Sequence, residues 1–133
     1  MSSDIHKHLT IAAPIDRVWA ALSDPHIIQQ WMGDDQVQVD LKVGGRYTFF
    51  GGQTSGRFSH IAAPILLEYT WRQQNWPAAW EDSVVRWELH TEPDGTRLHL
   101  IHSRFPNKDE RSSHDEGWEM YWLGPMRDWL EHR

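Results

Sequence analysis

The sequence contains no cysteine, which removes disulfides, thiol nucleophiles and thiolate metal sites together. It is short of positive charge, with 13 Lys and Arg against 19 Asp and Glu, a net −6 with histidine neutral. Nucleic acid and anionic lipid both demand a basic footprint, so the balance argues against each as a partner. Long apolar runs are missing as well. None approaches the roughly 18 residues of a membrane span, and the polar start MSSDIHKHL, without an apolar core, predicts no signal peptide. The expected location is the cytoplasm. No P-loop, dinucleotide fingerprint, HExxH, Gly-x-Ser-x-Gly or Ser-x-x-Lys motif is found, so no cofactor and no familiar nucleophile is expected.

What the chain has in excess is tryptophan, nine in 133 residues. Trp carries a large apolar area and one N–H that seeks a partner, which suits both cores and semi-polar cavities. Three of the nine fall in the last segment, Gly117 to Leu130, together with a tyrosine and Gly124-Pro125. That segment either plugs a core or walls a pocket.

The length fits one domain, residues 1–133, with no repeat and no linker. His6–Ile11 reads as a first strand. Ile15, Val18, Trp19 and Leu22 then recur at helical spacing, with Pro14 placed for the first turn and Asp16 favoured by the N-terminal dipole. Ser23-Asp24-Pro25 stops that helix and opens a short second one, His26 to Trp31. Beyond Gly33 the pattern becomes strands and turns: Val37–Leu41, Arg46–Phe50, Gly56–Ala62, Ile65–Arg72, Ser83–Thr91 and Thr96–Ser103. Consecutive strands with short connections predict an antiparallel meander.

The last hairpin permits a register. A turn at Asp94-Gly95 pairs Trp87 with His102, Leu89 with Leu100, His90 with His99 and Glu92 with Arg97. Val85, Trp87, Leu89, Leu98, Leu100 and His102 then share one face. After Pro106, Ser113 to Glu116 has the form of a capping box and predicts a helix from about Ser113 to Glu131. Its apolar stripe is Trp118, Trp122, Met126 and Trp129. Pro125 should remove a backbone bond and kink it.

These residues in this order resemble the helix-grip (START-like, Bet v 1-like) superfamily, and within it the Hsp90-ATPase-activator-homologue (AHSA1-like) group of small bacterial proteins. The resemblance is carried by Ala13-Pro14-Ile15-Asp16-Arg17-Val18-Trp19, Leu22-Ser23-Asp24-Pro25 and Gln30-Trp31. It continues in Asp40-Leu41-Lys42-Val43-Gly44-Gly45-Arg46-Tyr47, Leu67-Glu68-Tyr69-Thr70-Trp71 and Gly95-Thr96-Arg97-Leu98, and ends in His102-Ser103-Arg104-Phe105 and Gly117-Trp118. Met32-Gly33-Asp34-Asp35 and Gly124-Pro125 depart from the group's pattern. The resemblance implies an α+β helix-grip fold: a curved antiparallel sheet of about six to seven strands wrapped around a long C-terminal helix, with two short helices after strand one.

In such a fold a cavity lies between sheet and helix. Trp118, Trp122 and Met126 would roof it. Tyr69, Trp71, Trp87, Leu100 and His102 would form opposing walls, with Phe49 and Phe58 on strands whose faces are ambiguous, and Trp19 and Trp31 would close one end. Gly117 would let the helix approach a strand. Against this stands plain core packing, because a tryptophan stripe at helical spacing most often fills a core. His102 is the sharpest polar candidate, as a ligand contact or base, or else as a core imidazole bonded to main chain or Tyr69. His90 and His99 would hold a metal only weakly, and no metal site is expected. His6, His8 and His114 read as surface residues, and Asp34-Asp35 and Glu81-Asp82 as loop acids.

The expected function is binding of a hydrophobic or aromatic small molecule, for sequestration, transport or sensing. Relatives by fold imply an enzymatic alternative, a cyclase, dehydratase or hydrolase acting on lipid- or polyketide-like substrates, which would need a polar dyad such as His102 with Tyr69 or Tyr121. The family resemblance implies a second, a co-chaperone-like module. An exposed aromatic patch at Trp76 and Trp80 would favour that module. The same loop would also serve as a lid or as a homodimer contact.

Overall fold

A computed structural model describes residues 4–132. Seven antiparallel strands form one sheet in the order β1-β7-β6-β5-β4-β3-β2. They are β1 (Ile5–Ile11), β2 (Gln38–Val39), β3 (Arg46–Phe49), β4 (Thr54–Ala62), β5 (Leu66–Gln73), β6 (Ser83–Glu92) and β7 (Gly95–Ser103). Two short helices follow β1, α1 (Ile15–Ser23) and α2 (Pro25–Met32). The chain ends in a long helical segment: α3 (Lys108–Gly117), a π-helical stretch (Trp118–Leu123) and α4 (Gly124–Glu131). This is the helix-grip arrangement that the resemblance implied.

The local signals account for most of these elements. Pro14 stands at the N-cap of α1 with Asp16 in the first turn. Asp24 ends α1 and caps α2, its carboxylate accepting the His26 N–H at 2.9 Å, with Pro25 preset for the first turn of α2. Gly33 closes α2 in the left-handed region at φ 72°, where a side chain would be strained. The Trp31 indole donates to the Ala21 carbonyl at 2.8 Å and joins the two helices.

The predicted hairpin register is corrected by two residues. Glu92 pairs with Gly95, so Trp87 faces Leu100, Val85 faces His102 and His90 faces Arg97. Two residues is one pleat period, so every side chain keeps its face; Val85, Trp87, Leu89, Leu98, Leu100 and His102 are all buried. The two-residue turn is Pro93-Asp94 instead of Asp94-Gly95, and Gly95 lies against β1, where a Cβ would be 2.1 Å from the Ile11 carbonyl oxygen. His99 therefore does not face His90. It faces Glu88, and its ring stacks on His8 at 4.1 Å.

Three further expectations are corrected. The long helix starts at Lys108, capped by Asn107, whose side chain accepts the Glu110 N–H at 2.9 Å, and not by Ser113. The β2 pairing shrinks to Gln38–Val39 because residues 40–45 form a tight loop in which a Cβ on Gly45 would meet the Asp40 carbonyl oxygen at 2.1 Å. Around Pro125, where the missing N–H predicts a disturbed helix, the preceding turn widens, with the Gly124 N–H bonding to the Glu119 carbonyl five residues back, the usual accommodation around a missing donor. That widening adds a residue to the turn, so Leu130 takes the buried position expected of Trp129, which sits half-buried at the margin.

The space between sheet and helix is filled by aromatic rings. Trp118 contacts Trp71, Trp87 and Trp122 with ring centroids 5.0, 5.5 and 4.9 Å apart. Phe49 and Phe58 both point inward, packing on Tyr47.

Candidate functional site

One cavity of about 340 Å³ remains beside this aromatic core. Its inner wall is Trp71, Trp118 and Trp122; its outer rim is Gln53, Thr54 and Gln73 from β4, β5 and the turn before β4; Ser113, His114, Gly117 and Tyr121 close the helix side. Phe50 completes the mouth. A second, more open depression of about 430 Å³ is lined by Trp80, Glu81, Arg104, Phe105 and Pro106.

Of the residues singled out from the sequence, Trp71, Trp118 and Trp122 line the cavity. Trp31, Phe49, Phe58, Tyr69, Trp87, Leu100, His102 and Met126 are buried in the surrounding core, and Trp19 is half-buried against it. Gly117 does not bring the helix onto a strand. A Cβ there would meet no atom within 4 Å, so the glycine leaves room in the cavity.

Two histidines bonded to the inner wall, His102 behind it and His114 on the helix side of the cavity, are fixed as neutral tautomers by tryptophan. The Trp118 indole donates to Nδ1 of His102 at 3.0 Å. The ring proton of His102 must then sit on Nε2, where it donates to the Ser83 hydroxyl at 2.8 Å. The Ser83 hydroxyl in turn donates a hydrogen bond to the Trp71 carbonyl at 2.8 Å. In the same way the Trp71 indole donates to Nε2 of His114 at 3.0 Å, and His114 donates from Nδ1 to the Glu110 carbonyl at 2.7 Å. Burial lowers the pKa of both imidazoles, His102 well below its ordinary value, with the neighbouring His114 a further cause there. His102 is thus fully partnered. His114 is a buried member of the network and not a surface residue.

Trp76 is also corrected: it is buried, donates to Glu110 at 2.7 Å and packs on His114 and Trp80. No exposed Trp76–Trp80 patch exists. The exposed large apolar side chains of the helical segment are Met120 and Tyr121.

Indole N–H groups decide what the inner wall can offer. Those of Trp31, Trp71, Trp76, Trp87 and Trp118 all donate to protein acceptors, Trp87 to the Tyr69 hydroxyl at 2.9 Å. Trp122, 4% exposed, makes no hydrogen bond among the described residues, and its nitrogen is not sealed from solvent. Its ring neighbours are Trp31, Phe49, Trp71, Trp87 and Trp118, so the cavity it lines is the open side.

Sequence reasoning missed Asp34. Its carboxylate accepts the Gln36 N–H at 2.9 Å and the Phe50 N–H at 2.7 Å. It thereby holds the turn Phe50–Gly52, whose three residues have φ of 55°, 65° and 93°, at the cavity mouth. An Asp that bonds the backbone two residues on is a recognised turn-former; the partner at Phe50 leaves no trace in the sequence.

The outer face of the sheet carries a charged row. Arg86 bonds Glu88 at 2.8 Å and Glu68 at 3.2 Å, and Glu68 also accepts from His60. Hydrogen bonds from Arg86, Ser59 and the histidines hold Glu88 and Glu68 below the usual carboxylate range, against the opposing effect of burial. Among the described residues no helix is long and apolar enough to cross a membrane.

Comparisons with known proteins agree with this geometry. An HSP90 activator from Plasmodium falciparum superimposes with a TM-score of 0.86 at 22% identity, covering 96% of this chain and 95% of that one. The Aha1 dimer from Colwellia psychrerythraea gives a TM-score of 0.82 at 19% identity over 97% and 96%. At these identities the likeness is one of fold. An uncharacterized protein of Schizosaccharomyces pombe is 28% identical over 76 residues, covering 57% of this chain and 22% of that much longer relative. Residues 12–131 match the model of the family described as Activator of Hsp90 ATPase homolog 1-like protein, and the chain belongs to that family.

Proposed function

We propose that the protein binds a hydrophobic, aromatic small molecule in the cavity beneath its C-terminal helix. The observation that carries this is the cavity itself, about 340 Å³ against an inner wall of three tryptophans with polar groups at its rim. Small-molecule sites have this size range and this mixture. An enzyme would need a polar group free to act, and His102 is sealed and fully partnered.

Gly117 supplies the test. It is helical, at φ −60° and ψ −39°, with open space beyond its Cα, so Gly117→Phe fills the cavity without opposing the helix. N-phenyl-1-naphthylamine, a neutral aromatic dye, should brighten with the natural protein and not with Gly117→Phe. No brightening with either protein, or equal brightening with both, would refute the reading.

A second reading is favoured by the exposed Met120 and Tyr121, 63% and 62% accessible, and by the likeness to an HSP90 activator. In that reading the helix surface is a co-chaperone-like contact. The isolated chain should then raise ATP turnover by an Hsp90-type chaperone, and serine at both positions should abolish the effect. The Colwellia relative is a dimer; a homodimer through the same patch would appear as a doubled mass in light scattering, lost in the double-serine variant.

A further inference from the structure

Resting on the cavity reading above, we infer that the ligand is an uncharged planar aromatic carrying a hydrogen-bond acceptor on its edge, and that the Trp122 indole N–H is the group that recognises that acceptor. The argument begins with the inner wall. Trp71 and Trp118 have both indole protons committed to buried imidazoles, so they offer only ring faces and edges. Aromatic ligands are well matched by such surfaces, through stacked or edge-on contacts. Trp122 differs from them. It is as buried as its neighbours, its ring is held on several sides by other rings, and its N–H alone among the buried tryptophan donors named above has no protein acceptor. Open to solvent and without a protein acceptor, this N–H is free to exchange water for a ligand acceptor, a net gain of about one ordinary hydrogen bond.

The rest of the lining sets the charge. No lysine, arginine, aspartate or glutamate lines the cavity. His114, the one imidazole there, accepts a hydrogen bond from the Trp71 indole at Nε2 and donates one from Nδ1 to the Glu110 carbonyl, so it is neutral. A charged ligand group placed against this wall would have no counter-charge, which is strongly unfavourable. At the rim, the Gln73 side-chain oxygen is already taken by the Thr54 hydroxyl at 2.6 Å.

A matched pair of probes separates this inference from the reading beneath it. 2-Acetylnaphthalene and 2-ethylnaphthalene have nearly the same size and shape, but only the first carries an acceptor. Affinities measured by calorimetry should favour the acetyl compound by about fivefold, the worth of one net hydrogen bond. In Trp122→Phe that preference should fall to about one while 2-ethylnaphthalene binding is retained. In the natural protein, whose fold needs no further check, nitrogen–proton spectra should show the Trp122 indole resonance moving downfield with 2-acetylnaphthalene and not with 2-ethylnaphthalene. Equal affinities for the two probes, or a Trp122 resonance indifferent to the carbonyl, would overturn the inference and leave the cavity reading standing. If neither probe binds, both fall together.

Discussion

Trp118 donates its indole N–H to Nδ1 of His102 across 3.0 Å, and that bond excludes a proton from the acceptor nitrogen. Trp71 does the same to Nε2 of His114. Each imidazole would have to break its tryptophan bond in order to charge, which couples the state of these two rings to the inner wall of the cavity.

Stability should therefore fall in mild acid. Both imidazoles have folded-state pKa values lowered by burial, whereas in the unfolded chain they titrate near pH 6.5. Below that value the unfolded chain takes up protons that the folded chain refuses, so the stabilising contribution is complete above about pH 6.5 and is lost as pH falls toward the folded values. Each such histidine contributes a slope of up to about 1.4 kcal/mol per pH unit. Urea unfolding at pH 7.5, 6.0 and 5.0 measures it. His99 is also lowered, by partial burial and by the adjacent His8, so a His99→Gln variant should retain most of the slope. The carboxylates of Glu68, Glu88 and Glu131 are lowered too, and they act in a separate window below about pH 4.5.

Trp118→Phe keeps a ring in the core but removes the donor. His102 Nδ1 is then buried without a partner, and the expected loss is about 1–3 kcal/mol in urea unfolding. His102 should also protonate more readily in this variant, because the donor that occupied Nδ1 is gone. The ring resonances of His102 should then titrate at higher pH than in the natural protein.

Gly56→Ala tests close packing within the sheet. A Cβ there would lie 1.9 Å from the Thr70 carbonyl oxygen and 2.8 Å from the Tyr47 ring. The same carbonyl accepts the Tyr47 hydroxyl at 2.6 Å. Backbone must move, so the loss should exceed about 3 kcal/mol, among the larger single-site effects. Thermal unfolding measures it.

Asp34→Ala should loosen the cavity mouth. It strips the acceptor from the Phe50 N–H, in a turn whose non-glycine residue already sits at φ 55°. The expected stability cost is small, about 0.5–1.5 kcal/mol, whereas binding of N-phenyl-1-naphthylamine should weaken. Asp34→Asn, which keeps one acceptor oxygen, should fall between the two proteins in a dye titration.

The fold was legible because its signals are local or periodic. Pro14, Asp24-Pro25 and Gly33 mark α1 and α2, and the alternation from Val85 to Leu89 and from Leu98 to His102 assigns the buried face even with the register two residues off. What escaped depends on contacts between distant segments. The true turn sets Gly95 against the Ile11 carbonyl of β1, a contact between distant segments. The burial of His114 and Trp76 depends on how α3 lies over β5, which composition reports only as two polar-tipped residues in polar surroundings. The π-helical turn before Pro125 has a visible cause, but its consequence, the exchange of Trp129 for Leu130, follows only once the helix has widened. The tryptophan wall was readable from the stripe; the position of the open space, set by Gly117 and the Phe50 turn, was not.

Nitrogen–proton spectra of the natural protein, recorded while N-phenyl-1-naphthylamine is added, test the central claim most directly. The account predicts shifts at the Gln53 and Gln73 side-chain amides, at the Gly117 backbone amide and at the Trp71, Trp118 and Trp122 indoles. Shifts confined to Trp80 and the residues before Pro106, or to the exposed Leu41 and Val43, or no shifts at saturating dye, would contradict it.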